Sequence, residues 1–105
     1  MNNPKKVTLT LQRIIRQNAD AHSFYFSTLE AFHFTAGQYI QIIIPHDADE
    51  RGSTRFFSIA SSPAEKEIML TIKEGKSSFK KKLFSLQAGD MIDAFGPIGK
   101  FILEV

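Results

Sequence analysis

Six short segments of the 105-residue chain are predicted as strands, three of them by alternating apolar and polar residues, and this pattern limits the fold more than any other feature. Successive strand side chains point to opposite faces, so an alternating segment predicts a strand with one buried face. The first contains Val7, Leu9 and Leu11, and the Ile14-Ile15 pair after it predicts a bulge or the strand's end. The other predicted strands lie around residues 24–26 and at 39–44, 54–60, 68–73 and 91–95. Six such strands with polar turns are typical of a small antiparallel barrel or sandwich.

One further segment has the periodicity of a helix. Phe79, Leu83 and Leu86 are spaced i, i+4 and i+7, which places them on one face of a helix. Ser77 or Ser78 stands before them and can serve as the N-cap. The sequence therefore predicts one short helix that packs its apolar stripe against the barrel.

Length and composition exclude several classes of protein. A chain of 105 residues has room for one domain. The absence of cysteine excludes disulfides, thiolate nucleophiles and iron–sulfur clusters, so electron transfer would require an organic cofactor. A formal net charge of +2 is too small to predict binding to nucleic acid.

No segment has the features of a membrane anchor, a signal peptide or a metal site. The longest apolar runs, such as residues 42–44, are far shorter than the ~20 residues that span a bilayer. No apolar region follows the charged N-terminus, so we expect a cytoplasmic protein without a membrane partner. His22, His33 and His46 share no ligand spacing, and we therefore predict no metal site.

The strongest functional signal is the sequence Arg55-Phe56-Phe57-Ser58. In a strand, Arg55 and Phe57 project to the same side, roughly 6 to 7 Å apart. A guanidinium pairs bidentately with phosphate and an aromatic ring stacks on a planar ring, so this pair suits a nucleotide-like cofactor. The alternative is that the two rings are core residues and that the arginine forms a weak surface ion pair.

Two other segments favour the binding interpretation. Gly75-Lys76-Ser77-Ser78 leads into the predicted helix, and the sequence Gly-Pro-Ile-Gly at residues 96–99 follows a predicted strand. A glycine turn at the start of a helix lets backbone N–H groups approach an anion closely.

These segments together resemble the FAD-binding barrel of the ferredoxin-NADP reductase family. That family's signature is an Arg-x-Tyr-Ser strand, a Gly-x-x-Ser turn into a helix, and Gly-Asp before a strand that ends in Gly-Pro-x-Gly. The matching residues are 55–58, 75–78, 89–90 and 96–99, and residues 36–39 are similar to the family's third strand. The resemblance extends from about Val7 to Leu103. Phe57 stands where the family usually has Tyr, which keeps ring stacking but removes a hydroxyl hydrogen bond to the flavin.

The resemblance implies an all-β fold: a six-stranded antiparallel Greek-key barrel with one short capping helix, which binds FAD. It implies that Arg55 and the 75–78 turn hold the two phosphates from opposite sides. Phe57 would stack on the isoalloxazine, and Ser58 would be the catalytic residue near flavin N5. The remaining implied cofactor contacts are Phe56, Thr71, Ile72, Lys73, Gly75, Lys76, Ser77 and Ser78.

Reductases of this family continue into a Rossmann-like domain that binds NAD(P)H, whereas this sequence contains no Gly-x-Gly-x-x-Gly. We therefore expect residues 1–105 to form the FAD-binding domain of an oxidoreductase, with the NAD(P)-binding domain missing from this chain or on a partner subunit. The chain alone should then be inactive with NAD(P)H. Two alternatives remain open: a fragment of a flavin reductase that uses flavin as a diffusible substrate, and a non-catalytic barrel that serves as an interaction module.

Three consecutive lysines, residues 80–82, follow the glycine turn. They can form a solvated face, which is the commonest role of such a run. They can also raise the potential around bound phosphates or contact an acidic electron-transfer protein.

Overall fold

The computed structural model describes residues 4–44 and 54–99, which form six strands and one helix. The elements are β1 (Lys5–Arg16), β2 (Ala21–Thr28), β3 (Tyr39–Ile43), β4 (Thr54–Ser58), β5 (Ile68–Lys73), α1 (Ser78–Phe84) and β6 (Met91–Ile98).

The strands form one sheet in the order β4-β3-β6-β1-β2-β5, in which every paired neighbour is antiparallel. The sheet curls until its two end strands meet, and the Ala60 backbone N–H donates to the Met69 carbonyl at 2.8 Å. Within the described residues no β-ladder joins β4 to β5, so a seam remains between them. The fold is thus a nearly closed six-stranded antiparallel barrel with one short helix, as predicted from the sequence.

The barrel interior contains the apolar half of each alternating strand. Val7, Leu9 and Leu11 are fully buried, and Phe24 and Phe26 stack with ring centroids 6.3 Å apart. The helix adds its own buried residues, Phe79 and Leu83, to the same core. Side-chain alternation therefore predicted the core correctly, and the predicted N-cap is Ser77, whose hydroxyl accepts from the Lys80 N–H at 3.1 Å.

The irregularity in β1 lies earlier than the sequence predicted. The register shifts between Leu11 and Arg13, and the strand continues through the Ile14-Ile15 pair to Arg16. Leu11 is bonded instead to the turn before β6, since its N–H donates to the Asp90 carbonyl and its carbonyl accepts from the Gly89 N–H, both at 2.8 Å. This tertiary contact sets the position of the bulge.

Several element ends also differ from the predicted ones. β6 was expected to end at Phe95 but continues to Ile98, which pairs with Tyr39. β3 ends at Ile43, one residue before its predicted end, and β4 ends at Ser58, two residues before its predicted end. α1 ends at Phe84, so Leu86 packs against the core from just beyond the helix.

Candidate functional site

The two faces of β4 have different surroundings. Arg55 is 7% exposed and Phe57 is half-buried, whereas Phe56 is 57% exposed and Ser58 is also exposed. Arg55 and Phe57 therefore share one face, as the strand period predicted, and Phe56 and Ser58 share the other.

The buried ring of Phe79, in the first turn of α1, connects the two inward side chains of β4. The Arg55 guanidinium carbon lies over this ring at 4.9 Å from its centroid, and the Phe57 ring lies 6.2 Å away with a tilt of 31°. Arg55 Nη1 also donates to the Thr54 carbonyl at 2.9 Å, which orients the guanidinium. A cation and a half-buried aromatic ring are thus held side by side at the start of α1.

The turn between β5 and α1 is anchored at both ends. The Glu74 N–H donates to the Asp20 carbonyl at 2.7 Å, and Ser77 caps the helix. At Gly75 an added Cβ would lie only 2.7 Å from Lys80 Cδ, because the Lys80 stem crosses the backbone there. Glycine at this position therefore lets the lysine stem pass close to the backbone of the turn.

The predicted contacts on β5 divide between its two faces. Thr71 and Lys73 are exposed on the outer face, whereas the side chain of Ile72 is in the core at 1% exposure. A ligand beside β5 could reach Ile72 only through its backbone. Lys76, in the turn that follows, is exposed.

The structure thus brings the predicted segments to one region of the barrel. β4 and α1 meet through Phe79, the end of β4 meets β5 through the Ala60–Met69 hydrogen bond, and the glycine turn connects β5 to α1. The inner pair, Arg55 and Phe57, and the outer residues Thr71 and Lys73 project from opposite faces of the curled sheet.

A shallow pocket of about 390 Å³ lies beside the glycine turn, and we call it the α1 pocket. It contains two ammonium groups, one carboxylate, one aromatic ring and one hydroxyl. Its lining residues are Glu74, Gly75, Lys80, Lys81, Phe84 and Ser85.

Sequence reasoning missed two features of the site. Phe79 was predicted as a core residue, but its contact with Arg55 depends on how α1 packs on β4. Gln38, in the segment similar to the family's third strand, donates to the Gly99 carbonyl at 2.9 Å and accepts from the Thr35 N–H at 2.8 Å. The sequence signal for Gln38 was its place directly after Gly37 in that segment, and the structure shows that it is buried.

Neither a metal centre nor a membrane helix is found in the described part of the chain. No three His, Cys, Asp or Glu side chains in residues 4–44 and 54–99 come close enough to hold a metal ion. No helix within these ranges is long and apolar enough to cross a bilayer.

Solved structures share this fold. The chain is 25% identical to a cytochrome P-450 reductase from Amycolatopsis, with a TM-score of 0.82, covering 99% of this chain and 31% of that one. The cytochrome b5 reductase domain of Ulva prolifera nitrate reductase is 20% identical, with a TM-score of 0.75 over 90% of this chain and 40% of that one. Ferredoxin-NADP+ reductase from Plasmodium falciparum is 22% identical, with a TM-score of 0.70 over 94% and 40%. The chain spans less than half the length of each of these proteins.

Sequence comparison identifies the family of the chain. No curated protein matches the chain. Residues 6–102, nearly the whole chain, match the family described as the oxidoreductase FAD-binding domain. The chain therefore belongs to the oxidoreductase FAD-binding domain family.

Proposed function

We propose that this domain holds FAD at the seam between β4 and β5 and at the start of α1, for electron transfer between NAD(P)H and an acceptor. The observation that carries the proposal is the arrangement of Arg55 and Phe57 around the Phe79 ring. One group suits phosphate and the other suits a planar ring system.

The residues present fit such a ligand. Arg55 is 7% exposed, so a phosphate would bind to the part of this residue that remains accessible, while the Phe79 ring packs against the guanidinium. Gly75, Lys76 and the two serines of the turn would hold the diphosphate from the opposite side, as the family signature implies. Ser77 can still donate its hydroxyl proton, because capping uses its oxygen as an acceptor.

The flavin ring system would lie along the seam. Phe57 would cover one of its faces and exclude water there. No β-ladder joins β4 to β5 in the described residues, so backbone groups at the seam can contact the ring system. Backbone groups of Phe56 and Ile72 and the side chains of Thr71 and Lys73 are the proposed contacts along β4 and β5. Ser58, exposed at the end of β4, is the proposed hydroxyl beside the reactive edge.

When bound, FAD supplies the redox chemistry, because its ring system accepts a hydride and releases single electrons. The protein contributes position and electrostatic stabilisation through the residues named above. The proposed partners are an NAD(P)-binding domain or subunit and an electron-transfer protein. Coverage of less than half of each similar structure supports a working unit larger than this barrel.

Titrations of the purified chain with FAD, FMN and riboflavin, followed by absorbance between about 350 and 500 nm, test the proposal. We expect FAD to bind more tightly than FMN by about tenfold or more, because a second phosphate adds a charge-assisted hydrogen bond. Equal affinities for the three flavins would contradict a diphosphate site.

Desalting and the same titrations distinguish the two alternatives, a diffusible flavin substrate and an interaction module. A prosthetic FAD remains bound through desalting, whereas a diffusible flavin substrate is removed. A barrel that has become only an interaction module shows no flavin binding in any of the titrations. Retained Arg55 and an intact glycine turn favour the cofactor-binding role over this last alternative.

A further inference from the structure

We propose that Lys80 is a second cationic contact for the FAD diphosphate, paired with Arg55 across the glycine turn. The inference rests on the proposed function and adds to it a residue outside the family signature. The three consecutive lysines then have different roles, although the sequence alone does not separate them.

The surroundings of the three lysines differ. Lys80 is half-buried, while Lys81 and Lys82 are exposed. Lys80 and Lys81 line the α1 pocket, and Lys82 does not. Lys80 is therefore the most enclosed of the three ammonium-bearing side chains.

The stem of Lys80 lies across Gly75, in the turn proposed to hold the diphosphate. A Cβ on Gly75 would be 2.7 Å from Lys80 Cδ and 3.5 Å from Lys80 Nζ. The ammonium thus lies next to the backbone of this turn. A phosphate bound at the turn would come within range of its N–H donors.

The charges around Lys80 favour an anion. Among residues 4–44 and 54–99 the observed ion pairs do not include Lys80. The α1 pocket is lined by two lysines, Lys80 and Lys81, and by one acidic residue, Glu74. The first turn of α1 contains no acidic residue, so no local carboxylate on the helix balances the lysines. A diphosphate has one negative charge on each phosphate, which matches one charge from Arg55 and one from Lys80.

The test compares Lys80→Met with Lys82→Met in titrations with FAD, FMN and riboflavin. Both substitutions remove one positive charge from the same helix and keep a long side chain, but only Lys80 lies at the turn. We expect Lys80→Met to weaken FAD binding by about tenfold. Lys82→Met should change FAD affinity less than twofold, and riboflavin affinity should be the same in all three proteins. Lys80→Arg should restore most of the FAD affinity because it restores the charge.

A second variant tests the geometry independently. Gly75→Ala places a methyl group 2.7 Å from Lys80 Cδ, and the lysine must move because its flexible stem is the part that can yield. We expect Gly75→Ala to weaken FAD binding in the wild-type protein and to have little further effect in a Lys80→Ala background. Thermal unfolding without flavin shows whether each variant is folded. If Lys80→Met does not fold, Lys80→Gln, which removes the charge but keeps a polar end group, replaces it and is compared with Lys82→Gln.

The outcomes separate this inference from the proposed function. If FAD binds the wild type and Lys80→Met has no larger effect than Lys82→Met, Lys80 is not a diphosphate contact and the proposed function stands. If FAD does not bind the wild type, both proposals fail. A selective loss in Lys80→Met, with unchanged riboflavin affinity, supports both.

Discussion

Replacing Arg55 by Ala tests the side chain on which the proposed site depends most. The variant loses the guanidinium that lies 4.9 Å over the Phe79 ring and bonds to the Thr54 carbonyl. A hydrogen bond to a charged group contributes about 1.5 to 3 kcal/mol, so FAD affinity should fall roughly ten- to a hundredfold. The flavin-free protein should also lose some stability, since a buried cation–π contact contributes about 0.5 to 2 kcal/mol.

The assay is a fluorescence or absorbance titration with FAD, alongside urea unfolding of each variant without flavin. Arg13→Ala is the matched control, because Arg13 is an arginine on β1 that is bonded to Glu67 and lies outside the proposed site. Arg55→Lys keeps the charge but loses the planar fork, and its affinity should fall between those of the wild type and the alanine variant. Identical FAD titrations for Arg55→Ala, Arg13→Ala and the wild type would show that Arg55 does not bind the FAD phosphates.

Three further predictions concern Phe57, the buried Gln38 and turnover with NAD(P)H. Phe57→Ala should weaken FAD binding by about 2 kcal/mol or more through lost stacking and burial, and Phe57→Tyr should tighten binding slightly. Phe95→Ala is the exposed aromatic control. If Phe57→Ala lowers Tm equally with and without FAD, Phe57 is only a core residue. Gln38→Ala should lower the free energy of unfolding by about 1 to 3 kcal/mol, since the Gly99 carbonyl and the Thr35 N–H lose their partner; an unchanged urea midpoint would contradict this. The FAD-saturated chain should oxidise NADH and NADPH at rates far below about 1 per second. Holding the two reactants in place supplies roughly 7 to 11 kcal/mol of such a barrier, and we propose that the NAD(P)-binding domain or subunit makes this contribution. Photoreduction should proceed, whereas turnover at ordinary reductase rates would show a complete enzyme.

The sequence predicted those features that depend on local pattern. Alternation placed Leu9 inside and put Arg55 and Phe57 on one face, because the period of a strand does not depend on its neighbours. The sequence predicted the β1 bulge at the wrong position, since a hydrogen-bonded contact with the turn at Gly89 determines where it lies. The ring of Phe79 beneath Arg55 depends equally on tertiary packing.

Lys80 shows the same limit in the candidate site. Its position in a run of lysines indicates only charge, and the side-chain direction that brings it over Gly75 is set by where α1 begins and how the turn enters it. The positions of the three lysines along the chain do not specify where α1 begins or how the turn enters it.

Amide chemical-shift mapping of the ¹⁵N-labelled chain during an FAD titration locates the bound ligand residue by residue. If FAD binds at the β4–β5 seam and the glycine turn, shift changes are concentrated at residues 54–58 and 71–80. We expect little change in β1 and β6, which lie opposite the β4–β5 seam in the strand order. Shifts centred on β1 and β6, or no shifts at saturating FAD, would contradict the assignment of this seam and turn as the FAD site.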